Sequence, residues 1–457
     1  MISAHVSQPK VVVVSHDIVG SRMAGPGIRY YQLALVLSQE FEVTLAIPCE
    51  VDPALPAEHL KIASYQRGDW ASLALLLRGA VAVLVNCVGV SDFPQLAESD
   101  IPLIVDGYDP LLAEWLTMTR QDPQGQDASW GVKFQRLSLP YGVGDFFVCA
   151  SERQRDWWLG LLEASGRINP WTMREDPSFR RLVDVVPFGL PLTPAVHTHS
   201  VVRGIWPHIS QDDKIILWGG GLWPWMDPLT AIRAMACIWQ KRQDVRLIFP
   251  GTRHPNPVMK KAPSHLSAAQ QLATELGIAD SAVFFGDWVA YSDWANVLLE
   301  SDLALSLHFD NTLETRLAFR TRILDYLWVG LPMVVTEGDA TSEVIEKYGV
   351  GIVTASQDVS GVAAALLQLL DQPRSEWHER FEKARQQYTW DAAAQPLLEF
   401  CRKPRRAADR GIFTSPVSSA AYAQLQEETI RLRALVQAFE RRKIVRFLNR
   451  LRAMFPK

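Results

Sequence analysis

Short apolar segments alternate with helical patterns along most of this chain, in two successive series. The first series predicts strands near residues 11–15, 43–47, 81–86, 103–106, 146–149 and 185–186. The second predicts strands near residues 215–218, 245–250, 283–285, 303–307, 333–336 and 351–353. Such alternation is typical of parallel sheets covered by helices. The sequence therefore predicts an α/β fold of two doubly wound, Rossmann-like domains, residues 1–195 and 209–401, with a ligand cleft between them.

Composition and charge narrow the class of protein. The 457 residues are 48% hydrophobic and 21% charged, with a net charge of −4. These values are typical of a soluble globular protein and do not indicate nucleic-acid binding. The five cysteines lack metal-ligand spacing, so we expect reduced core thiols and no metal site. Residues 1–10 show no apolar leader, which favours a cytoplasmic protein.

The middle of the chain carries a glycine-rich segment. Gly219, Gly220 and Gly221 directly follow a predicted strand, and a helix is predicted to begin at Asp227-Pro228. Glycines let the backbone approach a ligand, and a helix N-terminus favours an anion. We therefore expect Gly220 and Gly221 to contact the phosphates of a ligand. The alternative is that these glycines satisfy steric needs of the loop alone.

A similar junction follows the first strand. Gly25, Pro26 and Gly27 open a helix predicted over residues 28–39. Pro26 favours a helix start, and Gly27 leaves room for a ligand. Each domain thus presents a glycine-flanked helix N-terminus to the cleft, and Gly25 and Gly27 are predicted to bind the same phosphate-bearing ligand as the mid-chain glycines.

A charged group lies at residues 308–325 of the second domain. Arg320 and Arg322 stand near the start of a predicted helix, where cations are unfavourable unless they meet an anion. We interpret them as ligands of a diphosphate and Asp325 as a ligand of ribose; the alternative is an internal salt-bridge network. For His308, a ligand contact and a core hydrogen bond are both open.

The order of these motifs resembles bacterial retaining glycosyltransferases of the GT-B fold, family four. The resemblance covers residues 11–401. The matching segments are residues 24–29, 106–109, 150–155, 186–189, 219–228, 285–289 and 323–332. It implies a nucleotide-diphosphate sugar donor on the second domain, an acceptor on the first, and no metal or other cofactor. It also implies same-face attack by the acceptor hydroxyl, with catalysis by positioning and charge stabilisation.

Two positions depart from the family pattern. The usual pair of glutamates becomes Asp325 and, eight residues earlier, Leu317, so we expect Glu314 to serve as the missing catalytic acid. Trp223 and Trp225 stand where the family has Arg and Lys. In the first domain, a His-Asp pair of the family corresponds to Tyr108 and Asp109.

We expect Asp109 to be catalytic and Tyr108 to contact acceptor or sugar. The alternative for Asp109 is a helix cap.

The tail, residues 418–457, differs from the rest. A basic segment with a proline, residues 402–410, is interpreted as a linker to it. Apolar residues recur at helical spacing among the lysines and arginines of residues 431–457. A basic amphipathic helix of this kind predicts binding to an anionic membrane surface. The alternative is packing on this protein or on another subunit.

The sequence therefore predicts a glycosyltransferase of surface glycan or glycolipid assembly, held peripherally at the inner membrane face. Two alternatives remain open. One is a sugar-nucleotide epimerase or hydrolase on the same fold. The other is an inactive nucleotide-sugar-binding scaffold, suggested by Leu317 and by the missing lysine.

Overall fold

The first domain is built on a seven-stranded parallel sheet. The computed structural model describes residues 8–56, 59–256, 259, 262, 264–310, 312–412, 427, 431, 432 and 435. The strands run in the order β3-β2-β1-β4-β5-β6-β7. They are β1 Lys10–Val14, β2 Glu42–Ile47, β3 Leu60–Ser64, β4 Ala80–Asn86, β5 Leu103–Asp106, β6 Phe146–Cys149 and β7 Val183–Val185.

The second domain has a six-stranded parallel sheet in the order β10-β9-β8-β11-β12-β13. Its strands are β8 Lys214–Trp218, β9 Val245–Phe249, β10 Val283–Phe285, β11 Leu303–Ser306, β12 Met333–Thr336 and β13 Gly351–Thr354. The central strands are almost wholly buried, as expected for sheets covered on both faces. In each domain the strand order reverses beside the first strand, which places a crevice at the carboxyl ends of the strands.

Seventeen α-helices are found in the described residues. The first domain contributes α1 Gly25–Leu37, α2 Trp70–Leu77, α3 Cys87–Asp92, α4 Leu111–Thr119, α5 Pro123–Val143, α6 Glu152–Ala164 and α7 Pro170–Glu175. The rest are α8 Pro228–Trp239, α9 Leu266–Glu275, α10 Trp294–Glu300, α11 Leu313–Leu317, α12 Arg322–Val329, α13 Ser342–Tyr348, α14 Val359–Leu370, α15 His378–Gln387, α16 Trp390–Ala393 and α17 Gln395–Arg402.

The predicted strands all occur, and the two-domain α/β fold is confirmed. Within the described residues the sequence analysis missed one strand, β3, which lies at the edge of the first sheet and pairs with β2. Because β3 has exposed positions, its sequence lacks the continuous apolar run of the central strands, and the sequence pattern did not indicate a strand there. The predicted start of α8 is confirmed, because the Asp227 carboxylate accepts a hydrogen bond from the Thr230 amide at 3.0 Å.

The interpretation of residues 402–410 as a linker is wrong. After α17 the chain returns to the first domain, where Arg167 and Asp409, each almost fully buried, form a bidentate ion pair at 2.7 and 2.9 Å. The Asp145 carboxylate accepts the Ala407 amide at 3.0 Å. Buried charges need such partners, so this segment is fixed to the domain.

Most of the predicted membrane-binding tail lies outside the described residues. Four of its residues are described, and all four are helical: Glu427, Arg431, Leu432 and Leu435. No helix in the described part of the chain is long and apolar enough to span a bilayer. All five cysteines are free thiols; Cys237 is exposed, which corrects its expected place in the core.

Candidate active site

A cavity of about 480 Å³ lies between the two domains, at the carboxyl ends of both sheets. Most of the predicted site residues line it: Gly25, Tyr108, Asp109, Gly220, Gly221, Glu314, Arg320, Arg322 and Asp325. The β1–α1 and β5–α4 loops form one wall, and the β8–α8 loop with α11 and α12 forms the other. The volume is within the usual range for a small-molecule site.

The first wall includes the N-terminus of α1. Ala24 precedes this helix and gives no side-chain cap, and Gly25 lies in the cavity wall. A Cβ built on Gly25 would lie 3.9 Å from Oγ1 of Thr321 across the cleft. Gly27 has a different role from the predicted one. A Cβ there would meet the Ile18 carbonyl oxygen at 2.1 Å, so Gly27 allows close backbone packing.

The mid-chain glycines line the cavity, but α8 does not supply the expected anion site. Gly220 has a φ of +88°, a conformation that favours glycine. The N-terminus of α8 begins seven residues further along and is occupied by the carboxylate of its own N-cap, Asp227. The N-terminus that reaches the cavity is instead that of α12, whose N-cap Thr321 makes no side-chain cap bond. Two uncapped N-termini, of α1 and α12, therefore meet at the cleft.

Arg322 lies at the start of α12 with a charge that no described carboxylate pairs. Its Nη2 donates to the Gly221 carbonyl at 3.3 Å, and its guanidinium lies 5.4 Å from the Trp218 ring. Its Nη1 is buried and has no hydrogen-bond partner among the described residues. Burial lowers the pKa of Arg322 to about 10. A guanidinium with an unmet donor beside a cavity is suited to an anionic ligand.

Arg320, by contrast, is already paired. Its Nη1 and Nη2 donate to the two Glu314 carboxylate oxygens at 2.6 and 3.0 Å. Its Nε lies 3.5 Å from Oδ2 of Asp339. Burial lowers the pKa of Arg320, but the charge of Glu314 and its hydrogen bonds raise it overall. Of the two interpretations offered by the sequence, Arg320 therefore fits the internal salt-bridge network. Arg320 also lines the cavity.

His308 lies behind this ion pair. It is 1% exposed, it is absent from the cavity wall, and its Nε2 lies 3.3 Å from Oδ2 of Asp339. Of the two alternatives for His308, the structure favours the core hydrogen bond over the ligand contact. The Asp339 carboxylate also accepts the Ser342 amide at 2.7 Å, which anchors the group to α13.

Asp325 faces the cavity one turn into α12. The indole nitrogen of Trp294 donates to its Oδ2 at 2.9 Å, and its Oδ1 accepts no hydrogen bond within the described part of the chain. Burial raises the pKa of Asp325 to about 6. A partly buried carboxylate so oriented is able to accept hydrogen bonds from sugar or ribose hydroxyls.

Acidic side chains converge on the first-domain wall. Burial, together with the nearby charges of Asp106 and Glu314, raises the pKa of Asp109 to about 7. Burial and the charges of Asp109 and Glu314 raise the pKa of Glu114 well above its ordinary value. The Tyr108 ring lies 4.9 Å from the guanidinium of Arg29, a fully buried side chain. A carboxyl group with a pKa near neutrality is suited to proton exchange or to binding hydroxyls.

A row of aromatic rings forms part of the second-domain wall. Trp225 stacks on Trp223 at 5.9 Å, Trp223 lies 5.6 Å from His254, and His254 lies 5.2 Å from Trp288. Burial lowers the pKa of His254, which favours a neutral ring. The second-domain wall is therefore aromatic at Trp223 and Trp225, the positions at which the family pattern has Arg and Lys.

Side chains from both domains hold the cleft together. The Gln154 amide donates to the Tyr108 and Leu317 carbonyls at 2.8 and 2.9 Å, joining the two walls. The Asn256 amide donates to Oδ1 of Asp17 at 2.5 Å. These bonds connect the two domains at the cleft.

Sequence reasoning missed several wall residues, among them Glu114, His16 and His254. Glu114 lies on α4, and its spacing from Asp109 carries no motif. Its position in the wall follows from the packing of α4 against α11. No group of three metal-ligating side chains is found among the residues that the structure describes.

Residues 213–372, the core of the second domain, match the family model described as Glycosyl transferases group 1. A comparison with curated protein sequences finds no match. Solved structures do match over most of the chain.

Anabaena HepE in complex with UDP-glucose has a TM-score of 0.62 and 14% identity, covering 86% of this chain and 99% of its own. Sucrose-phosphate synthase of Thermosynechococcus elongatus has a TM-score of 0.61 and 14% identity, covering 87% and 99%. WaaG, a glycosyltransferase involved in lipopolysaccharide biosynthesis, has a TM-score of 0.55 and 16% identity, covering 87% and 98%. The chain therefore has the GT-B fold of glycosyltransferases, and its second domain matches the group 1 model.

Proposed function

We propose that this protein transfers a sugar from a nucleotide-diphosphate sugar to a glycan or glycolipid acceptor, with retention of configuration. The observation that carries the proposal is the unpaired guanidinium of Arg322 at the interdomain cavity, between the N-termini of α1 and α12. These three features provide positive potential at one place, where a diphosphate leaving group develops charge.

On the donor side, Arg322 and the backbone of Gly220 and Gly221 would hold the diphosphate. Gly25 would bring the α1 N-terminus against the same phosphates. Asp325 would accept hydrogen bonds from ribose hydroxyls. Both Nη atoms of Arg320 are hydrogen-bonded to Glu314. Arg320 would therefore hold Glu314 in place, and its positive charge would stabilise the diphosphate without direct contact.

On the acceptor side, Asp109 and Tyr108 would orient the attacking hydroxyl. The hydroxyl would approach the anomeric carbon on the face that the leaving group departs from. A leaving-phosphate oxygen would take its proton, so the protein supplies positioning and charge stabilisation. Glu314 would position the sugar-binding wall through its pair with Arg320, and the reaction would need no metal.

The donor chemistry is supported by the fold and by the family match of the second domain. A structural neighbour, Anabaena HepE, holds UDP-glucose, which makes UDP-sugars the first donors to test. We further propose that the protein acts in the cytoplasm in polysaccharide or glycolipid assembly, with residues 431–457 binding the anionic inner face of the membrane.

One observation favours a second function, an inactive nucleotide-sugar-binding scaffold. Both oxygens of Glu314 are engaged by Arg320, and Leu317 stands where the family has its first acid. Such a protein would bind a donor without turnover.

The test is a mass-spectrometric turnover screen of the purified protein. It uses UDP-, GDP-, ADP- and dTDP-sugars, each with and without a membrane glycolipid extract. Release of one nucleoside diphosphate only with acceptor present would support transfer and name the donor. Product without acceptor would indicate an epimerase or hydrolase. A thermal shift with one nucleotide and no turnover with any pair would indicate the scaffold and overturn the proposal.

A further inference from the structure

One face of α4 lines the first-domain side of the cavity. Leu111, Glu114 and Met118 are spaced three and four residues apart, so they lie on the same face of the helix, and all three line the cavity. Val88 of α3 adds a further apolar side chain to this wall. The wall therefore combines a carboxyl group with an apolar surface, which suits the hydroxyl-bearing edge and the C–H face of a sugar ring.

The carboxyl group of Glu114 is not engaged by the rest of the described protein. It forms no hydrogen bond and no ion pair with any side chain or backbone group whose position is described. Arg320 is close enough for its charge to act on Glu114, but both Nη atoms of Arg320 are bonded to Glu314. A carboxyl group in a cavity wall without protein partners is open to hydrogen bonds from a ligand.

Two other side chains of the first-domain wall hold polar atoms without partners. Tyr108 is 6% exposed, and its buried Oη forms no hydrogen bond of normal geometry with the described residues. Nδ1 of His16, just after β1, is also buried and unpartnered there, and burial lowers the pKa of His16 to about 4, which keeps the ring neutral. A tyrosine hydroxyl and a neutral imidazole each donate and accept hydrogen bonds. With the carboxyl groups of Asp109 and Glu114 they form a mixed set of donors and acceptors, which hydroxyl groups complement.

The charges of this wall do not favour an anionic ligand. A phosphate or carboxylate group placed beside Asp109 and Glu114 would meet two carboxyl groups and make each of them harder to ionise. Among the described first-domain residues that line the cavity, Arg67 is the one arginine, and no lysine accompanies it. Arg67 is exposed and donates to the backbone carbonyl of His16. An uncharged ligand rich in hydroxyl groups therefore fits this side of the cavity better than an anionic one.

We propose that this wall binds an uncharged sugar of the acceptor, with Glu114 as the residue that holds its hydroxyl groups. The hydroxyls bond to Glu114, Asp109 and Tyr108, and the C–H face of the ring packs on Leu111 and Met118. Glu114 thereby selects neutral acceptors over phosphorylated or uronic ones. This inference rests on the proposed transfer function, because it assigns the acceptor side of the same cavity.

The test measures sugar binding directly, so it does not depend on turnover. Saturation-transfer NMR of the full chain, with and without UDP, compares the methyl glycosides of glucose, galactose and mannose with three charged sugars. The charged sugars are glucose phosphorylated on its primary hydroxyl, glucuronate and glucosamine. We expect at least one neutral glycoside to bind about tenfold more tightly than any charged sugar, because only the neutral ligand leaves the carboxyl groups hydrogen-bonded without a new charge.

The variant is Glu114→Met, which removes the carboxyl group at similar side-chain length. We expect it to bind the neutral glycoside about tenfold more weakly, from the lost hydrogen bonds. Glu114→Gln, which keeps hydrogen-bonding atoms at this position, is expected to retain most of the affinity. The matched control is Glu163→Met, at an exposed glutamate of α6 outside the cavity wall, and it should match the wild type.

Three outcomes would overturn the inference. The first is equal affinity of Glu114→Met and the wild type for the neutral glycosides. The second is tighter binding of the phosphorylated, uronic or amino sugar, which would assign the wall to a charged acceptor. The third is no binding of any sugar in the panel. Failure of the proposed function gives a different result, since the turnover screen is then silent while the ranking of sugars by NMR is still measured.

Discussion

Two arginines separated by one residue lie in opposite surroundings in this cleft. Arg320 is bonded through both Nη atoms to Glu314 and lies beside Asp339. Arg322 has a buried Nη1 without a partner in the described residues, beside the same cavity. The difference teaches that an arginine in a cleft is not by itself an anion site. A paired guanidinium stabilises the wall, while an unpaired one carries a desolvation cost that a ligand is able to offset.

The largest effect is expected from Arg320→Met. This change leaves the buried Glu314 carboxylate without its partner, which costs about 3–5 kcal/mol of unfolding free energy. Urea denaturation measures the loss. The double variant Arg320→Met with Glu314→Met is expected to recover most of it, because the uncompensated charge is removed. A single variant of wild-type stability that no longer binds nucleotide would instead make Arg320 a ligand of the diphosphate.

Arg322→Ala is expected to affect binding rather than stability. Loss of a charge-assisted contact lowers the affinity for the nucleoside diphosphate by about 1.5–3 kcal/mol. Calorimetric titration with the diphosphate found in the turnover screen measures it. Arg316→Ala, at an exposed arginine of α11 outside the cavity wall, is the matched control. Unchanged affinity in Arg322→Ala would remove the observation on which the proposed function depends.

The smallest effect concerns a carboxylate that has no arginine bonded to it in the described structure, Asp109. Burial raises its pKa from 3.8 to about 7. Between these values the folded state binds more protons than the unfolded state, so the free energy of unfolding falls as pH rises and levels off above about 7. Asp109→Asn removes the cost of ionising this group. We expect the variant to gain stability over the wild type by on the order of 1 kcal/mol at pH 8.

Thermal melts at pH 5 and pH 8 check the sign of this effect. The difference between variant and wild type should grow with pH. A constant difference would show that Asp109 keeps the same protonation state in both conditions. Glu114→Gln offers a second carboxylate of the same wall for comparison.

The strands were predictable because they depend on local pattern. Buried central strands leave long apolar runs in the sequence, as in β1 and β8, whereas the edge strand β3 leaves a weak one. The N-cap of α8 was equally local, since Asp227 acts on an amide three residues away. Such local patterns are recognisable in the sequence without any knowledge of tertiary contacts.

The site was predicted in part. Gly25, Asp109, Arg322 and Asp325 were placed in the cleft because glycine loops and helix starts follow strands in this fold class. Glu114 was missed because its place in the wall depends on how α4 packs on α11, a helix of the other domain. Gly27 was assigned to a ligand, although the backbone it approaches is that of Ile18.

The sequence by itself determined the two α/β domains, the cleft between them and the residue types available to it. Alternating apolar and helical patterns record which side chains must leave water, and that is a local property. The tertiary structure alone decided three features of the site. It decided which of the two arginines lacks a carboxylate partner, which helix N-terminus at the cavity lacks a side-chain cap, and that His308 is buried. Those outcomes depend on pairings across the fold, such as Arg320 with Glu314 and His308 with Asp339, whose energies depend on distance and burial rather than on sequence spacing.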